Sequence, residues 1–294
     1  MLQALILGFP DPVSMGLASG WLMAGHKIKG IWFPKRAVGS AAFARDRGWA
    51  KTAPGVSMHG ICARLGIEPK PVAPLSRWSG AVDEMKALAP DIIISLMFTD
   101  RIPPSVLGAF PGKVFNLHPS LLPAYRGADP IFKMLWDRNM DQYSGVSLHL
   151  VNDGFDTGAL LAQAAVPFPP TRRVSGYLME LVKAGTPLLA NAIADHLAGK
   201  LAAHPQNSGD YPQSKLKPKE ARLSPSMMAA QVEWLSSTIP QLAPLRIEGQ
   251  PDALRVAGFA QSLGPSTGKE IIAEADHIDM DFADERIRLR RLKL

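Results

Sequence analysis

Cysteine is almost absent: Cys62 is the only one in 294 residues. One thiol cannot close a disulfide within the chain, nor can it found a cysteine-cluster metal site. Long apolar runs are missing as well. The longest candidates, such as DIIISLMF, have the length of a strand and fall short of a membrane span. The amino terminus, MLQALILGFPDP, shows neither a basic leader nor a small-residue cleavage site, so no signal peptide is expected. These absences predict a soluble cytoplasmic protein. No internal repeat and no low-complexity tract interrupts the chain. There is no Gly-x-Ser-x-Gly elbow, no Gly-x-Gly-x-x-Gly turn and no phosphate loop, and Cys62 has no histidine placed by a recognisable pattern. No metal is expected.

What is present is apolar and basic. Hydrophobic residues make up 47% of the chain, enough for a sizeable core, and 294 residues are comfortable for two domains. The formal net charge is +6, and its distribution says more than its sum. Residues 1–208 carry 20 Lys and Arg against 14 Asp and Glu, whereas residues 209–294 carry 12 against 12. Within the first part, PKRAVGSAAFARDRGWAK (34–51) holds five basic residues and one acid. Such a run either meets a phosphate-bearing partner or forms a solvated loop or helix face.

The first half alternates short apolar strands with helical patterns, which predicts βαβ units around a parallel sheet. Strands are expected at ALILGF, KIKGIWF, residues 71–73, DIIISLM, KVFNLH, the alternating GVSLHLV and GALLAQAAVPF. Helices are expected over residues 14–24, VSMHGICARL with Gly66 as its stop, 81–88, PIFKMLWDRN and 174–198. HPQNSGDYPQSKLKPKEA (204–221), rich in Pro, Ser, Asn and Lys and without an apolar period, reads as an interdomain linker. Beyond it, SPSMMAAQVEWLSST predicts a helix capped by Ser224 or Ser226, and APLRIEGQPDALRVAGFA and IRLRRLKL predict strands. The expected fold is α/β. A twisted, mostly parallel sheet occupies residues 1–205, a linker 206–221, and a small β-rich domain 222–294.

One strand end carries unusual chemistry. In FNLHPSLLPAYRG (115–127) an apolar strand delivers Asn116 and His118, two residues apart and therefore on one face. Pro119 stops the strand there. In an open parallel sheet, ligands bind outside the carboxyl ends of strands. A second loop, NDGFDTG (152–158), follows another strand and supplies Asp153 and Asp156 on a glycine-hinged turn. Amide, imidazole and carboxylate together suit acyl-group transfer: the amide stabilises an oxyanion, the imidazole moves protons or adds charge, and the carboxylate orients the imidazole. By spacing alone, Asn-x-His at a strand end is more often a capped turn than a catalyst, and Asp-Gly is a turn. Both readings stand at this point. His149, on the alternating strand, reads as structural, and the scattered methionines read as packing.

NLHPSLLPAYRGADPI followed by DGFDTG (153–158) resembles the folate-dependent formyltransferase family, which includes methionyl-tRNA formyltransferase and the sugar-nucleotide N-formyltransferases. LILGFPDP, DIIISLMFTDRIPPSVL and KEARLSPSMMAAQVEWL are similar with less force. The resemblance implies a Rossmann-like formyltransferase core with an OB-like carboxy-terminal domain, and 10-formyltetrahydrofolate as co-substrate with no metal. Matched residue by residue, the family's Asn-His-Asp triad falls on Asn116, His118 and Asp156. The first two would stabilise the oxyanion as an acceptor amine attacks the formyl carbon. Asp156 would position or charge His118 and help remove the amine proton. The pterin would lie against Met97, Phe98, Arg101 and Ile102 in one loop and Asn152, Asp153, Gly154 and Phe155 in another, largely through backbone groups. LLPAYRG (121–127) would shape the cleft wall.

Two departures from the methionyl-tRNA enzyme bear on the acceptor. That enzyme carries an Arg-Pro-x-Gly-Arg-like core in the basic loop after strand two; the matching region here is longer and differently patterned. Its carboxy-terminal barrel is usually larger and adds basic surface, whereas residues 209–294 are formally neutral, although RIRLRRLKL offers a local basic edge. Binding a tRNA needs several phosphate contacts. The expected acceptor is therefore a small-molecule primary amine, on an amino-sugar nucleotide or an amino-acid-like compound. Transfer to methionyl-tRNA, held through the basic segment from Lys35 to Lys51, is one alternative. Hydrolysis of 10-formyltetrahydrofolate is another, and a silent folate-binding regulator stands last.

Overall fold

In the computed structural model, which describes residues 1–215 and 220–292, the chain runs in order through β1 (Gln3–Gly8), α1 (Pro12–Met23), β2 (Lys27–Pro34), α2 (Ala41–Thr52), α3 (Met58–Leu65), β3 (Lys70–Val72), α4 (Ala81–Ala87), β4 (Ile92–Leu96), α5 (Pro104–Ala109), β5 (Val114–His118), α6 (Pro130–Asp137), α7 (Met140–Tyr143), β6 (Gly145–Leu150), β7 (Leu160–Ala165), α8 (Val174–Pro187), α9 (Ile193–Leu197), β8 (Arg222–Leu223), α10 (Ala229–Thr238), β9 (Leu245–Ile247), β10 (Arg255–Pro265), β11 (Ile272–Ala273), β12 (His277–Asp281) and β13 (Glu285–Arg291). Residues 216–219 of the expected linker and the last two residues of IRLRRLKL lie outside the described residues. No helix among the described residues is long and apolar enough to cross a membrane. The chain divides into two compact units. One comprises Met1–Gly127, Tyr143–Val166 and Leu178–Gln213; the other comprises Ala128–Gln142, Pro167–Tyr177 and Ser214–Leu294.

The first unit holds a seven-stranded sheet in the order β3-β2-β1-β4-β5-β6-β7. The five strands from β3 to β5 in that order are parallel, and β6 and β7 close one edge antiparallel. β4 is buried along its whole length, as a parallel strand covered on both faces must be, and so shows no polar alternation. Leu5, Leu7, Ile93 and Val114 share one buried cluster with Met85 of α4 and Val106 of α5. α1 starts where the FPDP turn places Asp11: its carboxylate accepts from the N–H groups of Val13 (2.9 Å) and Ser14 (3.1 Å). Pro12 follows at the first helical position, where no N–H is needed. Ser14 Oγ donates to the Leu96 carbonyl at 2.9 Å, pinning the start of α1 to the end of β4. Because β1 lies between β2 and β4, the strand order reverses beside it, and the carboxyl ends of β1, β4 and β5 open onto the crevice that such a switch point creates.

Local punctuation follows the sequence. Gly66 ends α3 in the left-handed region at φ 66°. The helix expected over 174–198 forms α8, a π turn (Leu188–Ala192) and α9 in series. Pro187 has no N–H to give to the carbonyl one turn back, and the winding loosens just after it. The basic stretch at 34–51 is helical for much of its length, with Ser40 capping α2 by accepting from Phe43 N (3.2 Å). Its single acid, Asp46, is only 1% exposed and accepts from the backbone N–H groups of Met58 (2.6 Å) and His59 (3.2 Å) at the start of α3. The exposed face of α2 therefore presents Arg45 and Arg47 without that acid.

The second unit holds a six-stranded sheet, β11-β12-β13-β10-β9-β8, antiparallel except for β8 with β9. Within it, Trp234 of α10 donates to the Leu135 carbonyl of α6 at 2.7 Å. Neither Ser224 nor Ser226 caps α10: their hydroxyls pair with each other at 2.9 Å. Asp284 does that work from the β12–β13 turn, accepting from Ala229 N at 2.7 Å. The expected basic edge of RIRLRR is partly cancelled. Asp279 stands opposite Arg288 and Asp281 opposite Arg286 in the antiparallel register, and both pairs close, at 2.7 and 3.0 Å.

Candidate active site

β5 pairs with β6 so that Asn116 stands directly opposite His149 and His118 opposite Ser147. Ser147 holds the turn that leaves β5. Its Oγ donates to the Ser120 carbonyl (2.6 Å) and accepts from Leu122 N (3.0 Å) and Gln163 Nε2 (2.8 Å).

His118 is 4% exposed, and its Nε2 donates to the Tyr125 carbonyl at 2.8 Å. A carbonyl only accepts, so Nε2 carries the proton and Nδ1 of the neutral ring is bare. That bare nitrogen lies 3.6 Å from Asp156 Oδ2. Burial pushes the imidazole pKa below its ordinary 6.5, while the Asp156 charge offsets part of that effect.

Asp156 adopts φ 52°, a left-handed conformation that a non-glycine residue keeps only when its surroundings enforce it. Its Oδ2 accepts from Gly127 N at 2.9 Å and its Oδ1 from Asn116 Nδ2 at 3.3 Å. Burial alone would raise this carboxyl. The neighbouring His118 and His149 rings and the Gly127 N–H outweigh it and hold the group well below the usual carboxylate range, so it stays ionised at neutral pH.

His149 completes the cluster, and sequence reasoning missed it. Its Nδ1 faces the Leu150 carbonyl at 2.7 Å, and its Nε2 faces Asn116 Nδ2 at 3.1 Å and Asp156 Oδ1 at 3.6 Å. The Leu150 carbonyl fixes the tautomer: Nδ1 donates, Nε2 accepts, and the group of Asn116 that meets it is the NH2. The available signal was positional. Ser147 and His149 lie two apart on a strand, so both polar groups share one face.

The two loops assigned to a pterin contribute unequally. Ile102 belongs to the core cluster and Phe98 packs against it, so what they can offer a ligand is backbone. Met97 is left-handed at φ 54°. Asn152 Oδ1 accepts from Gly154 N (3.1 Å) and Thr157 Oγ1 (2.9 Å), folding the 152–157 loop on itself. Arg101 joins the two loops, donating to the Asp153 carbonyl (2.8 Å) and Oδ1 (2.5 Å) and lying over the Phe155 ring. Phe155 itself is 69% exposed. From the basic stretch, Arg36 reaches Asp100 and Thr99. Among the described residues, no three His, Cys, Asp or Glu side chains gather to hold a metal ion.

Residues 59–193 match the formyl transferase family model, an interval that contains Asn116, His118, His149 and Asp156. Methionyl-tRNA formyltransferase of Chloroflexus aurantiacus is 29% identical over 238 residues, which is 80% of this chain and 72% of the relative. Over these residues the chain is similar to formyl transferases. Among solved structures, WlaRD, a sugar 3N-formyl transferase seen with dTDP and 5-N-formyl-THF, matches with a TM-score of 0.64 at 16% identity, over 100% of this chain and 99% of its own. The N-formyltransferase from Helicobacter canadensis, in complex with folinic acid and dTDP-3-aminofucose, matches with a TM-score of 0.61 at 15% identity, over 99% and 100%. These two formyltransferase structures share the fold of both units of the chain.

Proposed function

We propose that the protein is a 10-formyltetrahydrofolate-dependent N-formyltransferase whose acceptor is a primary amine on a small molecule, an amino-sugar nucleotide or an amino-acid-like compound. The observation that carries this reading is the meeting of Asn116, His118 and Asp156 at the carboxyl end of β5, with the bare Nδ1 of His118 facing an ionised carboxylate at 3.6 Å. 10-Formyltetrahydrofolate supplies the activated formyl group. The two loops beside the cluster, joined by Arg101, are where its flat heteroaromatic ring would lie, offered mainly backbone groups.

Each residue then has a task set by its geometry. His118 Nδ1 takes a proton from the attacking amine and returns it to the leaving nitrogen. Asp156 stabilises the imidazolium between those transfers. Asn116 has both amide hydrogens engaged, and the longer bond, 3.3 Å to Asp156, is the one an oxyanion displaces. Gly127 N–H keeps the Asp156 carboxylate in place. Because burial holds His118 below its ordinary 6.5, the base is neutral at physiological pH. Turnover is expected to be flat around neutrality and to fall on acidification only below that value; a pH–rate profile rising toward acid would reject His118 as the base.

The acceptor reading rests on charge. Lys35, Arg45 and Arg47 are exposed and Asp46 is turned inward, whereas Arg286 and Arg288 of β13 are paired with Asp281 and Asp279. A few cations suit a diphosphate better than a tRNA backbone. Replacing Lys35, Arg45 and Arg47 together by Gln is expected to raise the acceptor KM by about tenfold and leave the folate KM unchanged. Arg36→Gln should instead weaken folate, since Arg36 braces the 99–101 loop. The 29% identity to a methionyl-tRNA formyltransferase favours charged tRNA as the second reading.

The deciding experiment follows release of tetrahydrofolate from 10-formyltetrahydrofolate with no acceptor, with charged initiator tRNA, and with a panel of amino-sugar nucleotides and basic or hydroxylated amino acids. Release that requires a small amine supports the proposal. Release that requires tRNA moves the acceptor to the second reading, and release with no acceptor makes the protein a hydrolase. Folate binding without release rejects catalysis.

A further inference from the structure

Gln206 lies in the stretch whose composition reads as a linker, yet its side-chain amide is fully engaged within the first unit. Its Nε2 donates to the carbonyls of Asp156 (2.7 Å) and Gly158 (2.8 Å). Its Oε1 accepts from Arg126 Nε (2.9 Å) and Nη2 (2.5 Å). Arg126 precedes Gly127, whose N–H donates to Asp156 Oδ2. One amide thus joins the loop that carries the carboxylate to the loop that supplies its donor. The backbone presenting Gln206 is held as well. His204 and Leu160 exchange backbone hydrogen bonds at 2.8 and 2.7 Å, and Tyr125 N donates to the Pro212 carbonyl at 2.6 Å.

Asp156 needs such a restraint. It sits at φ 52°, and its carboxylate must stay opposite a histidine nitrogen to which it makes no direct hydrogen bond, the separation being 3.6 Å. Gln206 grips the carbonyls on both sides of Thr157, which fixes the peptide planes that aim the Asp156 side chain. Asparagine is one methylene too short to make the same reach, and glutamate has no hydrogens to give to two carbonyls.

We propose that Gln206 is a positioning residue of the formyl-transfer site, holding the Asp156 carboxylate in register with His118 by clamping the backbone of its loop. The role in catalysis rests on the proposed function; the clamp itself does not, and the test separates the two.

The test uses the full chain carrying Gln206→Met, which keeps the side-chain length and removes the hydrogen bonds, and Gln206→Ala. The first readout is the titration of the His118 ring by NMR, with Asp156→Asn as the reference for complete loss of the carboxylate. In the wild type the Asp156 charge opposes the effect of burial, so a carboxylate that drifts away leaves His118 titrating at lower pH, toward the Asp156→Asn midpoint. A wild-type midpoint in both variants overturns the proposal. The second readout is kinetic. Gln206→Met is expected to lower kcat by about tenfold or more with the folate KM within about twofold, as for a misplaced catalytic group. Added to Asp156→Asn, it should cost almost nothing further, because both changes act through one carboxylate. Full additivity overturns the proposal. Gln206→Met decides if Gln206→Ala does not fold. Should the wild type transfer no formyl group, the proposed function fails while the His118 titration still decides the clamp.

Discussion

Replacing Asp156 by Asn, or His118 by Ala, is expected to cut formyl-transfer turnover by at least about a hundredfold while leaving a folded protein that still binds folate. The Asn side chain keeps the shape of the carboxylate, and its oxygen can still accept from Gly127 N, so the loop should hold its course. What disappears is the negative charge 3.6 Å from His118 Nδ1, and with it the stabilisation of the imidazolium that forms during transfer. His118→Ala removes the proton carrier altogether. It also removes the hydrogen bond that His118 Nε2 donates to the buried Tyr125 carbonyl, so a lowered melting temperature is expected beside the kinetic loss. The double variant should be little worse than the poorer single one, because the two groups handle the same proton. Steady-state turnover, with folate affinity and melting temperature as controls, checks all three. Near-normal turnover in either single variant would sink the catalytic assignment.

Much of the sheet was legible because its signals are local. β4 is buried throughout and, apart from Ser95, apolar, since both of its faces are covered, and Asp11-Pro12 and Gly66 punctuate helices within a few residues of themselves. The site was half legible for the same reason: Asn116 and His118 share one strand face. The remainder is made by contacts that composition cannot see. His149 reaches Asn116 across 33 positions, and Gln206 reaches Asp156 across 50. The polar character of residues 204–221 is equally suited to solvent and to hydrogen bonding with a loop, so it hid Gln206. α10 illustrates the point again: two nearby serines were the obvious caps, but Asp284, 55 residues from Ala229, fills the place. The local basic edge expected at RIRLRR is thinned in a related way, because the cross-strand register pairs Arg286 and Arg288 with aspartates.

Gly158→Ala is expected to be the most destabilising single substitution in the site region. This glycine is required by a close approach. A Cβ there would lie 1.7 Å from the Leu150 carbonyl oxygen and 2.8 Å from its carbon. Backbone cannot swing aside as a side chain can. Leu150 is held from two directions, its N–H donating to the Ala159 carbonyl at 2.9 Å and its own carbonyl accepting from His149 Nδ1 at 2.7 Å. Relief therefore requires the 156–158 loop to lift from β6 or the Leu150 carbonyl to turn, and the cost should be about 2–4 kcal/mol. That corresponds to a melting temperature lower by roughly 5–15 °C. Either movement also reaches the chemistry. Lifting the loop carries Asp156 away from His118, and turning the carbonyl releases the His149 tautomer that orients Asn116. Gly154→Ala, in the same loop, provides the contrast: its Cβ would meet Thr157 Oγ1 at 2.1 Å, a side-chain atom that can rotate away, so its effect should be much smaller. Thermal melts of the two variants, run beside the His118 titration, separate the cases. A Gly158→Ala protein that melts like the wild type would show that the loop yields freely, and the rigid placement of Asp156 would have to be abandoned.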